Sequence, residues 1–134
     1  MVYSKFIRGK GNDLLLASLI SLSDSPMRKI ESQMNAAISK GIDWKSANTE
    51  VTNIDGVSFV YLHGNKIAEV GDTFIRLFDG GYQSNTTKSR LNAILRTHGL
   101  GGECVFQKQW TWFVNLHTGN GMATVPFFSS MRLA

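Results

Sequence analysis

The alternation of apolar and polar residues divides the chain into a helical first third and a strand-rich remainder. An almost uniformly apolar stretch over residues 14–22 predicts a buried helix. A second helix is predicted to begin at Ser25 and Pro26, which suit the N-cap and the first helical position, and to end at Gly41. Its buried stripe consists of apolar residues three and four positions apart, namely Met27, Ile30, Met34, Ala37 and Ile38.

After Trp44 the apolar residues recur with a period of two, which is typical of strands. The residues around Gly64 tolerate the positive φ of a tight hairpin turn, so the strands on either side of them are expected to pair. Three strands are predicted in this part of the chain, over Val57–Leu62, Lys66–Val70 and Asp72–Phe78.

A third helix is predicted from about Thr87 to Thr97, because residues 84–87 offer several N-caps and an apolar face follows them. Two strands are predicted beyond it, over residues 104–106 and 110–116, around a turn at Lys108 and Gln109. The apolar segment 122–128 contains Pro126, which cannot donate a ladder hydrogen bond, and this favours an edge strand.

Clustered strands favour an antiparallel sheet over an alternating α/β arrangement. We therefore predict an α+β fold, in which an antiparallel sheet of four to six strands is packed by one late helix and preceded by two N-terminal helices. The whole chain, residues 1–134, is predicted to be a single domain, with a helical part over residues 1–45 and a β-β-β-α-β-β unit over residues 50–134.

Composition supports a folded chain with a modest preference for negatively charged partners. Of the 134 residues, 43% are hydrophobic, which is enough for one core. The net charge of +4 and a pI near 9.4 favour polyanions or acidic partners. Cys104 is the only cysteine, so an internal disulfide is excluded and a reducing compartment is expected. The apolar stretch over residues 14–22 is too short to cross a bilayer, so no membrane partner is expected.

One face of the late helix is a candidate nucleic-acid-binding surface. Lys88, Asn92 and Arg96 are spaced four residues apart and form one stripe. Lys and Arg can neutralise phosphates, and an Asn between them can read an adenine edge in a major groove. Thr86 and Thr87 add hydroxyls at the helix start, where the helix dipole favours anions. The same pattern also fits an ordinary amphipathic helix with a solvated polar face.

Aromatic residues near Lys108 suggest a second way to bind nucleic acid. Trp110 and Trp112 are predicted on one face of a strand and Phe113 on the other. If the tryptophan face is exposed, bases can stack on it while Lys108 contacts the backbone. If that face lies under the helix, both tryptophans belong to the core.

The residue types required for catalysis or metal binding do not occur at recognisable spacings. Cys104 and the histidines at 63, 98 and 117 form none of the short-range ligand pairs that anchor a tetrahedral metal site. The serines lack a nucleophile-elbow context, and a phosphate loop following a strand is absent. We therefore expect a non-enzymatic protein with no metal and no cofactor.

The segment over residues 56–115 resembles small accessory proteins of tailed bacteriophages. The resemblance is carried by the hairpin His63-Gly64-Asn65, by "GGYQSNTTKSRLNAIL" over residues 80–95 and by "VFQKQWTWFV" over residues 105–114. It implies a phage accessory protein made in the cytoplasm of a bacterial host, and it carries over no catalytic residue.

These observations lead to one functional hypothesis and two alternatives. The first is an accessory protein that binds DNA or RNA, or a nucleic-acid-handling complex, through the basic helix. The second is an inhibitor that docks on a bacterial host protein, such as a defence or transcription factor. The third is a minor component of the virion. The oligomeric state stays open.

Overall fold

A computed structural model describes residues 8–10 and 27–133. The helix predicted over residues 14–22, and the predicted start of the next helix at Ser25 and Pro26, lie outside these residues. Among the described residues, none of the helices has the length and apolar character needed to span a membrane.

Two helices are described, and the first begins later than the sequence pattern predicts. Helix α1 spans Lys29–Lys40 with Arg28 as its N-cap, so among the described residues it begins at Lys29. Gly41 adopts the left-handed conformation at φ 67° and closes the helix as predicted. Helix α2 spans Asn85–His98, which extends the predicted helix by about one residue or two at each end.

The larger sheet has six antiparallel strands that run in the order β1-β2-β3-β4-β5-β9. Its strands are β1 Trp44–Ser46, β2 Thr49–Ile54, β3 Val57–Leu62, β4 Asn65–Val70, β5 Ile75–Leu77 and β9 Met131–Leu133. The β3–β4 hairpin turns at His63 and Gly64, both at positive φ, as the sequence predicts. Both helices pack against this sheet, α1 on β2 and α2 on β4.

A second sheet of three antiparallel strands follows α2, in the order β6-β7-β8. Its strands are β6 Cys104–Lys108, β7 Thr111–Thr118 and β8 Gly121–Pro126. The α+β class and the antiparallel pairing are confirmed, and β8 lies at an edge as Pro126 predicts. The prediction of one continuous sheet is wrong, because the chain after α2 pairs with itself and returns to the larger sheet only at β9.

The core lies between the helices and the two sheets. Two buried ion pairs connect the elements that surround it. Arg90 on α2 donates to Glu31 on α1 at 2.7 Å and to the hydroxyl of Thr49 on β2 at 3.0 Å. Arg8 pairs with Glu103 at 2.9 Å, and both side chains are almost fully buried. Each pair joins elements that are distant in sequence, so these charges fix how the helices and the small sheet sit against the rest of the fold.

Candidate nucleic-acid interface

The hairpin between β6 and β7 ends in a tight turn with an unusual backbone. Lys108 pairs with Thr111, so Gln109 and Trp110 form a two-residue connection. Both residues have positive φ, at 51° and 67°. Two successive left-handed residues are required in this type of turn, where Asn and Gly are the usual occupants. A bulky Trp in that conformation carries a steric cost, which makes the turn a candidate functional feature.

Trp110 projects from this turn into solvent. Its side chain is 91% exposed, whereas Trp112, two residues later, is 3% exposed and packs edge-on against Phe127. The sequence placed both tryptophans on one strand face, and that prediction is wrong because the turn begins one residue later than expected. Trp110 therefore leaves the strand, while Trp112 remains on its inner side.

Trp110 borders a shallow groove between the hairpin and α2. The groove measures about 420 Å³ and is lined by Lys88, Gln107, Gln109 and Trp110. Lys108 is exposed on the same hairpin, and it points to the other side of β6 from Gln107 because side chains alternate along a strand. We call these five residues, Lys88, Gln107, Lys108, Gln109 and Trp110, the hairpin-tip surface.

The predicted stripe on α2 is divided in the structure. Lys88 faces the hairpin-tip groove, whereas Arg96 lines a separate hollow of about 240 Å³ together with Arg28 and Glu31. Asn92 lies between them, and its side-chain amide is bonded to the backbone of Val105 on β6. It donates to the Val105 carbonyl at 2.9 Å and accepts from the Val105 N–H at 2.7 Å. In this arrangement Asn92 attaches α2 to the edge of the small sheet.

The start of α2 is capped by its own hydroxyls. Ser84 accepts a hydrogen bond from the Thr87 N–H at 3.0 Å, and the Ser84 and Thr87 hydroxyls lie 2.9 Å apart. Thr87 is buried and Thr86 is half-buried. Because the Thr87 hydroxyl and N–H are both engaged in the cap, its contribution in the structure is to the helix start.

The charge of the chain is concentrated in the part that carries the hairpin-tip surface. From Gly80 to the end there are five Lys and Arg and one Asp or Glu, whereas residues 1–79 contain nine of each. The single acidic residue after Gly80 is Glu103, whose carboxylate is buried against Arg8. The net positive charge of the chain therefore comes from the part after residue 79, which favours an anionic partner there.

The residues considered for metal binding are dispersed. Among residues 8–10 and 27–133, His, Cys, Asp and Glu do not gather in any group of three or more that could hold a metal ion. His98 is buried at the end of α2, where loss of solvation lowers its pKa to about 4. The ring of His117 contacts the Gly101 carbonyl at 2.8 Å. His63 is exposed in the β3–β4 turn.

The sequence pattern identified Lys88 on the helix and Lys108 beside the tryptophans as two separate candidate contacts. It did not predict the turn that exposes Trp110. Lys-Gln-Trp-Thr contains no Gly, Asn or Asp, so the usual signal of a two-residue turn is absent. The available clue is the pairing of Val105 with Val114, which fixes Gln109 and Trp110 as the only residues between the strands. That pairing depends on burial and is visible only in the folded chain.

Comparison with known proteins gives one match. A family model described as "Kyanoviridae Gp96 protein" matches residues 27–134. None of the curated proteins and none of the solved structures matches the chain.

Proposed function

The chain belongs to the Kyanoviridae Gp96 protein family, a family of phage proteins, and on this premise we propose that it is a non-enzymatic accessory protein that binds nucleic acid in the host cytoplasm. The phage identity agrees with the resemblance seen over residues 56–115. The proposed binding site is the hairpin-tip surface, whereas the sequence pattern predicted the whole α2 stripe.

The observation that carries the proposal is the exposure of Trp110 beside Lys88, on a hairpin that also exposes Lys108. A fully exposed Trp loses the favourable free energy of burial, about 25 cal/mol for each Å² left in water. Projecting from a tight turn, the indole offers a flat face for stacking on a base, which contributes about 1–3 kcal/mol per base. Lys88 borders the same groove and Lys108 is exposed on the other side of the hairpin, so they supply cations for phosphates on either side of that base.

The α2 stripe contributes to this proposal through Lys88. Reading of an adenine edge by Asn92 would require both of its hydrogen bonds to Val105 to break, and each hydrogen bond contributes about 1 kcal/mol to stability. Arg96 borders the other hollow together with Arg28 and Glu31, and it stays a predicted contact outside the groove. Thr86 lies near the helix start as an accessory contact.

The test is a titration of fluorescently labelled oligonucleotides with the full chain at two salt concentrations. We expect binding that weakens as salt rises, because counterions are released from the phosphates. Lys88→Gln and Lys108→Gln should each lower the affinity and reduce the slope of log affinity against log salt by about 0.7–0.9. Lys45→Gln is the matched control, since Lys45 is exposed on β1 at an edge of the larger sheet. Absence of binding, or binding without a salt slope, would contradict the proposal.

A second candidate is docking on a bacterial host protein, and the same exposed Trp supports it. Tryptophan is enriched among the few residues that carry most of the affinity of protein interfaces. The two functions separate in an affinity pull-down from host lysate with and without nuclease. A partner that persists after nuclease and is lost in Trp110→Ala supports docking, whereas a partner that nuclease removes supports nucleic-acid binding.

A further inference from the structure

We propose that the nucleic acid bound at the hairpin-tip surface is single-stranded, and that Tyr82 and Phe128 provide two stacking positions in addition to Trp110. This inference rests on the proposed function and specifies its ligand. It is carried by the position of three exposed aromatic side chains at one end of the molecule.

Backbone contacts bring the loop after β8 to the hairpin tip. Phe127 donates its N–H to the carbonyl of Trp112 at 2.9 Å, which continues the β7–β8 ladder beyond Pro126. The chain after β8 therefore runs beside the start of β7, and Phe128 follows directly. Trp110 immediately precedes β7, so Phe128 and Trp110 lie at the same end of the small sheet.

A second set of contacts brings Tyr82 to that end. The Asp79 N–H donates to the Ser129 hydroxyl at 3.2 Å, and the Tyr82 N–H donates to the Asp79 carbonyl at 3.2 Å. The loop that leads into α2 thus contacts the loop after β8. Lys88 lies one helical turn beyond the Ser84 cap on the same helix. Tyr82 therefore lies between the start of α2, which carries Lys88 one turn later, and the loop after β8, and it also borders the β3–β4 turn.

All three aromatic side chains are largely in solvent. Tyr82 is 76% exposed and Phe128 is 61% exposed, compared with 91% for Trp110. The other large hydrophobic side chains exposed among the described residues are aliphatic, namely Ile42, Ile54 and Met122. Single-strand-binding proteins combine exposed aromatic rings, on which unpaired bases stack, with cations that contact the phosphates.

The arrangement favours a single strand over a duplex. In a duplex the faces of the bases are stacked on one another, so side chains that project from loops cannot reach them. Duplex recognition by α2 would use the amide of Asn92 in a major groove, and that amide is bonded to Val105. Aromatic rings are therefore exposed for stacking, whereas the Asn92 amide that would read base-pair edges is already hydrogen-bonded within the protein.

The Asp79 carboxylate also lies in this region, where it is hydrogen-bonded within its own loop. Asp79 accepts hydrogen bonds from the Gly81 N–H at 2.8 Å and from the Gln83 amide at 3.4 Å. These bonds compensate part of its negative charge within the loop. The cations available to a ligand near the hairpin tip are Lys88 in the groove and Lys108 on the hairpin.

The experiment compares single-stranded and duplex ligands on the full chain by fluorescence anisotropy. The probes are an unstructured oligo(dT), an unstructured oligo(U) and a mixed-sequence DNA duplex, each of about 12 nucleotides or base pairs, which is within the footprint of single-strand-binding domains. We expect at least one single strand to bind about tenfold or more tightly than the duplex. Tyr82→Ala and Phe128→Ala should each weaken that binding by about tenfold.

Controls separate stacking from folding. Met122→Ala removes an exposed side chain at the opposite end of β8 and should bind like the parent chain. Tyr82→Phe retains the ring and should retain the affinity, and the thermal midpoint of every variant is measured alongside. If Tyr82→Ala fails to fold, Phe128→Ala still decides the matter.

The outcomes distinguish this inference from the proposed function. Duplex binding that equals or exceeds single-strand binding overturns the inference and leaves nucleic-acid binding at the hairpin tip intact. Salt-dependent single-strand binding that Tyr82→Ala and Phe128→Ala do not change also overturns it. Absence of binding to all three probes overturns the proposed function itself.

Discussion

The interior of the small sheet and its hairpin tip use the same residue type in opposite ways. Trp112 lies on the inner side of β7, 3% exposed, with its ring 5.3 Å from that of Phe127 and nearly perpendicular to it. Trp110 lies in the turn, 91% exposed, in a backbone conformation that favours Gly. Trp112 therefore contributes to the core, whereas Trp110, only two positions earlier, is exposed to solvent.

This difference shows that register decides what a large aromatic residue does. The pairing of Val105 with Val114 fixes which side of β7 faces the core, and Trp112 shares that side. Trp110 lies in the turn beyond the last paired residues of the ladder, so its side chain does not pack against the core. The interior should respond to substitution through stability, and the tip through binding.

The largest expected effect is at Trp112. We expect Trp112→Ala to lower the free energy of unfolding by about 3–5 kcal/mol, because it removes a buried ring and leaves a cavity. Chemical denaturation measures this change. Trp110→Ala is the matched control and should change the same free energy by about 0.5 kcal/mol or less, since the side chain is in solvent. Equal losses in the two variants would remove the distinction between interior and tip.

The next effect concerns the buried ion pair that closes the interior of the small sheet. Arg8 donates to both oxygens of Glu103, and it also donates to the His117 carbonyl. We expect Arg8→Ala to lower the free energy of unfolding by about 3 kcal/mol, because Glu103 would remain buried without its cation. The partly exposed Lys66–Glu69 pair is the control, and Lys66→Ala should cost about 1 kcal/mol or less. A small effect at Arg8 would show that water enters the site.

Acid should weaken the interior before it affects the tip. Loss of solvation lowers the pKa of His98 to about 4, and a hydrogen bond between its ring and the backbone of Gly9 opposes part of this shift, whereas the charge of Lys10 adds to it. A neutral buried His stabilises the fold above its unfolded pKa of about 6.5, and this stability is lost progressively as the pH falls towards 4. We expect a loss of about 2 kcal/mol between pH 7 and pH 5.

Denaturation at several pH values measures the dependence on His98. Substitution of His98 by Asn should flatten the slope between pH 7 and pH 5, even if it lowers stability at every pH. His63→Asn is the control, because His63 is exposed in a turn where Asn also tolerates positive φ. An unchanged slope in the His98 variant would assign the acid sensitivity to other groups.

The smallest expected change in stability has the most informative sign. Trp110→Gly should raise the free energy of unfolding by about 1 kcal/mol, because Gly adopts the left-handed conformation without the steric cost of a side chain. The same variant should lose most of its affinity for oligonucleotides. A thermal melt and a binding titration on one preparation measure both quantities. If the variant is less stable, the indole contributes to the stability of the fold, and its exposure is not evidence of a binding role.

The sequence predicted the elements whose signals are local. β3 lies over Val57–Leu62 as predicted, since the alternation and the turn at His63 and Gly64 are both present in the sequence. The end of α1 at Gly41 was predicted for the same reason. β2 was missed because its buried Thr49 is polar and is satisfied by Arg90, which is distant in sequence. β9 was missed because only pairing with β5 defines it.

The candidate site was predictable in its residue types and not in its geometry. Lys88, Lys108 and Trp110 were identified from charge and aromatic content. Their assembly at one end depends on the β6–β7 register, which is set by burial. Asn92 was interpreted as a base contact because helical spacing placed it between two cations. In the structure its amide is bonded to Val105, which is 13 positions away and belongs to another element.

The bonds between Asn92 and Val105 have a consequence for assembly. An amide that occupies the backbone donor and acceptor of an edge strand prevents another strand from pairing at that position. The small sheet can then add a neighbour only along β8, on its other side. Growth by repeated addition needs two available sides, so association of copies through this sheet would stop at a pair and would not continue into a fibre.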